Sequence, residues 1–349
     1  MAAFMRARLL LLFCLGPATA FSAASWYTEA NYSEPAAGDF IAGEDPVARA
    51  AAVEALGRYN GAAVVADADT GRVLTIVNQK LALADGYIPC STIKLVVGLA
   101  CLAEGLVEPG EKITFPGGWY MTMVEGLAIS NNVYFHRLGE RLGFERLSYY
   151  ARLFGLGERA GWQIPGEQLG VFPDEPHARG VGRMSSFGDG IFVTPLQLTA
   201  FAAALANGGQ LFYLQRPRSA REAADFRPRL KRRLPIREWL PELESGMGEA
   251  VRRGTARRAG WEGELRGKTG TCSLYEGRSR TRLGWFASYG RLPDGRRLAV
   301  TLMLRGGALV HGPLAAEVAG QIYSGIDSAE SPADLTIASA GACCAGGDE

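Results

Sequence analysis

Lysine is scarce in this chain of 349 residues: lysine and arginine together number 37, and only five of them are lysine. Arginine keeps its proton in proteins, whereas a desolvated lysine can become a neutral amine and act as a base. A lysine that remains where arginine supplies nearly every other positive charge therefore invites a chemical explanation. Lys94 is such a residue, because it follows Ser91 at a spacing of three at the head of an apolar, helix-like run.

Histidine and net charge are also low, with three histidines and a net charge of +1. His136, His177 and His311 show no metal-ligand spacing, so we expect no metal site and no cofactor. The basic cluster "RPRLKRR" at 227–233 lies in a polar connection without interleaved aromatic residues. This pattern favours a solvated loop over a nucleic-acid patch, and we expect no nucleic-acid partner.

The sequence has no apolar run of the roughly 20 residues that a membrane-spanning helix needs. The run "LLLLFCLG" follows Arg6 and Arg8 and precedes "ATA" at 18–20, which is typical of a signal peptide and its cleavage site. We therefore expect residues 1–20 to be a signal peptide and the mature chain to be periplasmic or otherwise extracytoplasmic, peripheral to the membrane at most. A retained anchor is the less favoured alternative.

Composition and periodicity divide the rest of the chain into a linker (21–45), one domain (46–327) and a disordered tail (328–349). A short helix at 46–60 precedes a β-hairpin at 61–78, and the middle of the chain is helical, with its best patterns at 91–104, 119–141, 194–207 and 236–253. Three strands and a closing helix follow. We predict an α+β fold: an antiparallel five-stranded sheet flanked by helices, with an inserted all-helical subdomain.

Three short motifs occur in order along this pattern. Ser91 and Lys94 form S-x-x-K at a helix start, Ser130 and Asn132 form S-x-N in a loop, and "KTG" begins at Lys268 on a strand. S-x-x-K and S-x-N each arise often by chance, whereas K-T-G is rarer. The three together, in this order and at these structural positions, are a specific signal.

In these motifs the chain resembles the penicillin-recognising serine acyltransferases, most closely the transpeptidase domain of class B penicillin-binding proteins. The likeness extends over about residues 60 to 325 and includes "LAEGLVEPGEKI", "IPGEQLGVFP", "FGDGIFVTPLQLTAFAAALANGG", "MGEAVRRGTARRAGW" and "GWFASYG". The N-terminal pedestal domain and firm anchor usual in that class do not appear in this sequence. We therefore do not expect membership of a division or elongation complex, and protein partners stay unassigned.

The resemblance implies a catalytic role for each of five residues. Ser91 is the nucleophile, and Lys94 takes its proton provided that burial and nearby Lys268 destabilise the ammonium. Ser130 passes that proton to the leaving nitrogen, and Asn132 holds the substrate amide. Lys268 supplies a fixed positive charge.

Substrate binding falls to the strand that follows Lys268. The resemblance implies that Thr269, Gly270 and Thr271 form this binding strand, with both threonine hydroxyls on the terminal carboxylate of the substrate. The backbone N–H groups of Ser91 and Thr271 would form the oxyanion hole. The implied partners are D-Ala-D-Ala-type stem peptides of peptidoglycan, and β-lactams that mimic them.

The implied function is that of an exported DD-transpeptidase or DD-carboxypeptidase, and two alternatives stay open. A β-lactamase shares every acylation residue, although the absence of E-x-x-L-N argues against class A and Asn132 argues against class D. Glu167, in "IPGEQLG", resembles a family turn more than a deacylating glutamate. The second alternative is a β-lactam-sensing or muropeptide-sensing receptor, or a wall-binding module with little turnover.

The cysteines add one expectation that rests on the implied oxyanion hole. Cys90, where the family usually has glycine, precedes Ser91, and Cys272 follows Thr271, so two N–H groups aimed at one oxygen would bring these cysteines within disulfide range. Some class A carbapenem-hydrolysing β-lactamases are similar. In an oxidising compartment we favour a Cys90–Cys272 disulfide over two small buried thiols. Cys101 is expected to be a core thiol.

Overall fold

The computed structural model describes residues 27–276 and 279–330. The predicted signal peptide, the first residues of the predicted linker and the tail beyond residue 330 lie outside the described residues. In the part of the chain that is described, no helix combines the length and apolar character needed to cross a membrane.

Secondary structure covers most of the described chain. The helices are α1 (Pro46–Leu56), α2 (Gln79–Ala82), α3 (Lys94–Ala103), α4 (Met123–Ala128), α5 (Asn132–Leu142), α6 (Phe144–Leu153), α7 (Val181–Phe187), α8 (Pro195–Ala206), α9 (Ala220–Ala224), α10 (Leu240–Arg252) and α11 (Gly312–Glu330). The strands are β1 (Gly61–Asp67), β2 (Val73–Val77), β3 (Ile113–Thr114), β4 (Tyr120–Met121), β5 (Gln210–Phe212), β6 (Leu230–Arg233), β7 (Glu264–Glu276), β8 (Ser279–Arg291) and β9 (Arg297–Gly306). Two short 3-10 helices, Cys90–Ile93 and Arg257–Ala259, complete them.

Five of the strands form one antiparallel sheet in the order β2-β1-β9-β8-β7. The predicted hairpin supplies β1 and β2, and the three strands predicted near the C-terminus supply β7, β8 and β9. The predicted fold class, with helices flanking a five-stranded antiparallel sheet, is confirmed. The strand that carries Lys268 is an edge strand of this sheet.

The sheet is buried on both faces, which explains why β1 has no polar side chain before its last residue, Asp67, rather than alternating apolar and polar residues. Ala62 and Val64 pack into the cluster that includes α3 and α8, whereas Ala63 and Val65 pack into the cluster that includes α1 and α11. The period of two along the strand therefore assigns successive residues to opposite layers. The helical subdomain, with α3 at its base, lies on the first of these faces.

The segment 119–141 differs from the single helix that its pattern predicts. The structure has two helices there, α4 and α5, and Ser130 between them adopts a left-handed conformation with φ of 56°. Asn131 caps α5 by accepting a hydrogen bond from the backbone N–H of Tyr134 at 2.9 Å. A side chain that caps a new helix competes with helix continuation, so the chain turns at Ser130.

The described part of the predicted linker, residues 27–45, contains no helix or strand beyond isolated bridges, but it contacts the domain closely. Asp39 accepts hydrogen bonds from the backbone N–H groups of Asn78 and Gln79, at 2.9 and 2.8 Å. At the other end of the domain, α11 continues to Glu330, slightly beyond the start of the predicted tail.

Candidate active site

Lys94 begins α3 and is completely buried. Its Nζ donates hydrogen bonds to Asn132 Oδ1 at 2.6 Å, to the Ser130 carbonyl at 2.8 Å and to Ser130 Oγ at 3.1 Å. These three acceptors are all uncharged, and no carboxylate pairs with Lys94 within the described ranges. Burial without a counter-charge lowers the pKa of Lys94 to about 7.

Ser130 is the meeting point of two lysines. Its backbone is left-handed, and its hydroxyl oxygen accepts two hydrogen bonds. Lys268 Nζ donates one at 2.8 Å, and Lys94 Nζ donates the other at 3.1 Å. A non-glycine residue with positive φ costs free energy and is found preferentially where function requires it. The S-x-N motif thus brings a hydroxyl between two amines that lie far apart in sequence.

Lys268 lies on β7 and is also fully buried. Besides Ser130 Oγ, its Nζ contacts the carbonyl oxygen of Thr269 at 2.8 Å. Burial, and after it the charge of Lys94, holds the pKa of Lys268 well below its usual value. Two ammonium groups in one buried site repel each other. The pair therefore favours a state in which the two lysines are not both protonated.

Ser91 is the second residue of the 3-10 helix that leads into α3, and its side chain is partly exposed. Its hydroxyl makes no hydrogen bond with any described residue. The expected role of Lys94 requires its amine to come within reach of this hydroxyl; in the structure the amine hydrogen-bonds to Ser130 and Asn132. The helical run still keeps both side chains at the same end of α3, with Ser91 on the accessible side.

The strand β7 approaches the loop before Ser91 very closely at Gly270. A Cβ atom there would lie 2.9 Å from the carbonyl oxygen of Pro89 and 3.2 Å from Cys90 Cβ, so glycine is required at this position. The predicted disulfide between Cys90 and Cys272 is present, with a Cα–Cα distance of 5.5 Å. Cys90 has a φ of 52°, a conformation that suits the glycine usual in the family.

The two threonine hydroxyls of the binding strand both have partners in the structure. Thr269 Oγ1 lies 2.6 Å from Thr255 Oγ1, and Thr271 Oγ1 accepts a hydrogen bond from the backbone N–H of Gly312 at 2.7 Å. Thr255 is a site residue that the sequence analysis did not assign. Its only signal was membership of the segment "MGEAVRRGTARRAGW", which precedes β7 and resembles the family.

Glu167 has a structural role. It is buried, and its carboxylate accepts hydrogen bonds from the backbone N–H groups of Ala160 and Gly161 at 2.7 to 3.1 Å. These bonds brace a turn in the helical subdomain. In the part of the chain that the structure describes, no group of three or more histidine, cysteine, aspartate or glutamate side chains is placed to hold a metal ion.

Cys101, the expected core thiol, is buried and free, and burial raises its pKa to about 12. It takes no part in the disulfide, so the predicted assignment of the described cysteines agrees with the structure.

Reduction of the Cys90–Cys272 disulfide is expected to lower the free energy of unfolding by about 3 to 5 kcal/mol, because the bridge closes a loop with a sequence separation of 182 residues. Denaturant unfolding with and without a thiol reductant measures this change. The double variant Cys90→Ala/Cys272→Ala is the control, and its stability should not respond to reductant. Equal stability of the oxidised and reduced parent protein would refute a stabilising bridge.

Comparison with protein families and with known proteins gives a consistent result. The family model described as the penicillin binding protein transpeptidase domain matches residues 61–324. Stage V sporulation protein D of Bacillus subtilis (strain 168) is 30% identical over 222 residues, which cover 56% of this chain and 34% of that protein. The peptidoglycan D,D-transpeptidase MrdA of Haemophilus influenzae is 26% identical over 286 residues, or 66% of this chain and 44% of MrdA.

Solved structures share the fold. The TP domain of Burkholderia pseudomallei penicillin-binding protein 3 is matched over 85% of this chain and 94% of that one, with a TM-score of 0.65 and 22% identity. PBP2 of Helicobacter pylori, solved in complex with MreC, has a TM-score of 0.67 and 22% identity. The chain spans only part of the curated relatives it matches, 34% of the length of the sporulation protein.

Proposed function

The chain belongs to the family of penicillin-binding protein transpeptidase domains, and on that premise we propose that it is a serine acyltransferase of stem peptides ending in D-Ala-D-Ala. Ser91 attacks the bond between the two D-alanines, D-Ala leaves, and the acyl group passes to an amine, as in a DD-transpeptidase, or to water, as in a DD-carboxypeptidase. A penicillin acylates the same serine. The observation that carries the proposal is the buried hydrogen-bond network of Lys94, Ser130 and Lys268, at the start of the helix that follows Ser91.

Lys94 is the base in the first step. As the bond between Ser91 Oγ and the carbonyl carbon forms, the hydroxyl proton moves to Lys94 Nζ. A base works best when its pKa lies near the working pH, and burial lowers the pKa of Lys94 to about 7. The neutral amine is therefore far more accessible at neutral pH than it is for a lysine in water.

Ser130 returns the proton to the leaving group. When the C–N bond breaks, the nitrogen of D-Ala takes the Ser130 hydroxyl proton, and Ser130 takes from Lys94 the proton that Lys94 received. The 3.1 Å distance between Lys94 Nζ and Ser130 Oγ supports this relay. After D-Ala departs, Lys94 is again neutral and can activate the amine or water that attacks the acyl group.

Lys268 recognises the terminal carboxylate together with Thr269 and Thr271. The two lysines compete for charge, since both are buried and both amines contact the Ser130 hydroxyl. A carboxylate arriving beside Lys268 favours the proton there, and the resulting positive charge favours a neutral Lys94. Binding of the correct substrate therefore prepares the base.

The edge position of β7 supplies the remaining interactions. An edge strand has unpaired backbone groups that an extended peptide can join. The Thr271 N–H on this strand and the Ser91 N–H on the 3-10 helix form the oxyanion hole, and the Cys90–Cys272 disulfide fixes the distance between the two backbones. Asn132, held by Lys94 at 2.6 Å, is oriented to bind the substrate amide.

The proposed substrate belongs to the cell wall, and this agrees with export by the predicted signal peptide at 1–20. A disulfide is also typical of proteins in oxidising compartments. We therefore propose a periplasmic or extracytoplasmic location for the domain at 46–327.

A β-lactamase is the alternative that shares the acylation chemistry, and it differs by rapid deacylation. Glu167 does not favour it, because the carboxylate is bound by the backbone of its own turn. The distinguishing experiment follows a D-Ala-D-Ala pentapeptide and a labelled penicillin with the purified protein. We expect release of D-Ala and a lasting penicillin adduct; rapid release of hydrolysed drug without D-Ala would instead identify a β-lactamase.

A further inference from the structure

One short segment of the chain carries a large excess of positive charge. Residues 216–233 contain eight basic and two acidic residues, whereas the whole chain has a net charge of only +1. This segment includes the basic cluster at 227–233, which has no part in the proposed reaction. Such concentration of charge on a nearly neutral chain needs its own explanation.

The structure folds this segment into a hairpin of β5 and β6, with α9 in the connection. The hairpin joins the edge of the main sheet at β2, where Arg72 and Gln215 form a bridge. The candidate active site lies at the opposite edge, on β7. Four strand spacings of about 4.8 Å separate these edges by about 19 Å, so the charge does not serve the candidate active site directly.

A cavity of about 710 Å³ opens beside the hairpin. Four arginines that line it form no ion pair with any described residue; they are Arg216, Arg218, Arg227 and Arg229. The acids at the same cavity are engaged, since Asp225 pairs with Arg221 and Glu222 accepts a hydrogen bond from the backbone N–H of Arg218. The cavity thus offers several guanidinium groups without carboxylate partners.

Arg216 forms part of the cavity wall. Its Nε and Nη1 atoms are enclosed and have no hydrogen-bond partner, and its guanidinium lies 5.4 Å from the centre of the Phe40 ring. Glu44 and Asp39 act on its charge from the neighbouring loop without contacting it. A partly buried guanidinium with unused donors is suited to accept an anionic group from a ligand.

Two further cavities share lining residues with this one. A cavity of about 440 Å³ shares Trp162 and Gln163 with it, and a third of about 390 Å³ shares Glu158 with the second. Lys231 and Arg232 line these two cavities, and both pair with Glu158 there. We call the three neighbouring cavities the basic groove. Several neighbouring cavities can contact successive parts of an extended polymer, whereas a compact small molecule would occupy one of them.

The aromatic residues of the basic groove indicate which polyanion fits. The Arg229 guanidinium lies 4.5 Å from the Trp162 ring centre, and Lys231 Nζ lies 5.1 Å from that of Tyr213. Binding of single-stranded nucleic acid depends on aromatic faces that stack on bases, and each of these two rings already has a cation near it. Guanidinium groups are instead well suited to bidentate contacts with carboxylates.

We propose that the basic groove binds a peptidoglycan strand through the carboxylates of its stem peptides, at a distance from the candidate active site. This inference rests on the proposed function, which supplies the class of polymer. A second site for the same polymer raises the local concentration of stem peptides at Ser91 and so acts on polymeric substrate alone. A soluble pentapeptide, which cannot occupy both sites, gains nothing from it.

The test measures co-sedimentation with purified, protein-free sacculi, using Ser91→Ala protein so that acylation cannot retain the polymer. The triple variant Arg218→Gln/Arg227→Gln/Arg229→Gln changes exposed side chains. It is expected to bind sacculi about ten- to hundredfold more weakly than the parent does. This loss corresponds to a fraction of a kcal/mol to about 1 kcal/mol of binding free energy for each charge removed. The matched control, Arg141→Gln/Arg257→Gln/Arg291→Gln, removes equal charge from exposed positions outside the groove and should bind as the parent does. Sacculi whose carboxylates have been amidated should bind parent and triple variant equally weakly.

Three outcomes would overturn the proposal: equal binding by the triple variant and the parent, equal weakening in the control variant, or tighter groove-dependent binding of oligothymidylate than of sacculi. In protein that keeps Ser91, the triple variant should release D-Ala from soluble pentapeptide at the parental rate. If the parent protein itself releases no D-Ala, the proposed function is refuted. If the triple variant binds sacculi as the parent does, only the proposal for the basic groove is refuted.

Discussion

Ser91→Ala is expected to abolish the penicillin adduct and to lower D-Ala release by at least about a thousandfold. The variant removes the proposed nucleophile and little else, because the Ser91 hydroxyl makes no hydrogen bond with any described residue. The 3-10 helix and the buried lysines should therefore remain as they are. Intact-protein mass spectrometry after penicillin treatment measures the adduct, and a coupled assay measures D-Ala.

Ser245→Ala is the matched control for this change. Ser245 is exposed on α10, and its hydroxyl only donates to the Pro241 carbonyl of the same helix. This variant should form the adduct and release D-Ala at the parental rate. An adduct that persists in Ser91→Ala, on Ser130 or on any other residue, would contradict the assignment of the nucleophile.

The second large effect concerns the two buried lysines, which should respond differently to arginine. Lys94→Arg is expected to abolish acylation, because arginine keeps its proton at any accessible pH and cannot serve as the base. Lys94→Met, which keeps an apolar chain of similar length in the same space, should be equally inactive and so separates loss of the base from poor packing. Rapid-mixing measurement of penicillin acylation gives both rates.

Lys268→Arg keeps the positive charge proposed to bind the carboxylate and should retain part of the acylation rate, with weaker binding of substrate. The pH dependence gives an independent check. Since the pKa of Lys94 is about 7, acylation by the parent should increase as pH rises through this value and the amine loses its proton. Lys268→Arg should keep this rise because Lys94 is still present.

Lys80→Arg, on the exposed surface of α2, is the control and should not affect acylation. The proposed division of labour would be refuted if Lys94→Arg retained parental acylation, or if folded Lys94→Arg and Lys268→Arg both lost it completely.

Much of the fold was predictable because its signals are local or depend on fixed spacing. The apolar runs of β1 and β2 around a D-T-G turn predicted the hairpin, and three β-rich segments predicted the other three strands of the main sheet. The Cys90–Cys272 disulfide followed from the resemblance, since an oxyanion hole with one N–H from each neighbouring residue requires the two backbones to meet. Gly270 shows why the two backbones can meet, because any residue with a Cβ atom at this position would collide with the loop before Ser91.

Other features depend on contacts between distant segments and were not predictable from local pattern. Periodicity continues through 119–141, but residues 120–121 form β4, and the left-handed Ser130 and the cap by Asn131 divide the rest into two helices. The hydrogen bond between Thr255 and Thr269 joins the turn after α10 to the middle of β7. A threonine in a polar turn carries no sign of such a partner.

The basic groove illustrates the same limit. The pattern of 227–233 predicts a solvated loop, since the segment has no interleaved aromatic residues of its own. The structure brings Trp162 and Tyr213 to it from other parts of the chain. Composition alone therefore identified the charge but not the groove that the charge lines.

The central claim is that one serine carries out both reactions, and a titration tests it most directly. The protein is acylated to increasing extents with a penicillin, the fraction modified at the peptide containing Ser91 is measured by mass spectrometry, and D-Ala release is assayed on each sample. We predict that release falls linearly with acylation and reaches zero at one adduct per chain on Ser91. D-Ala release that persists when Ser91 is fully acylated would contradict the account.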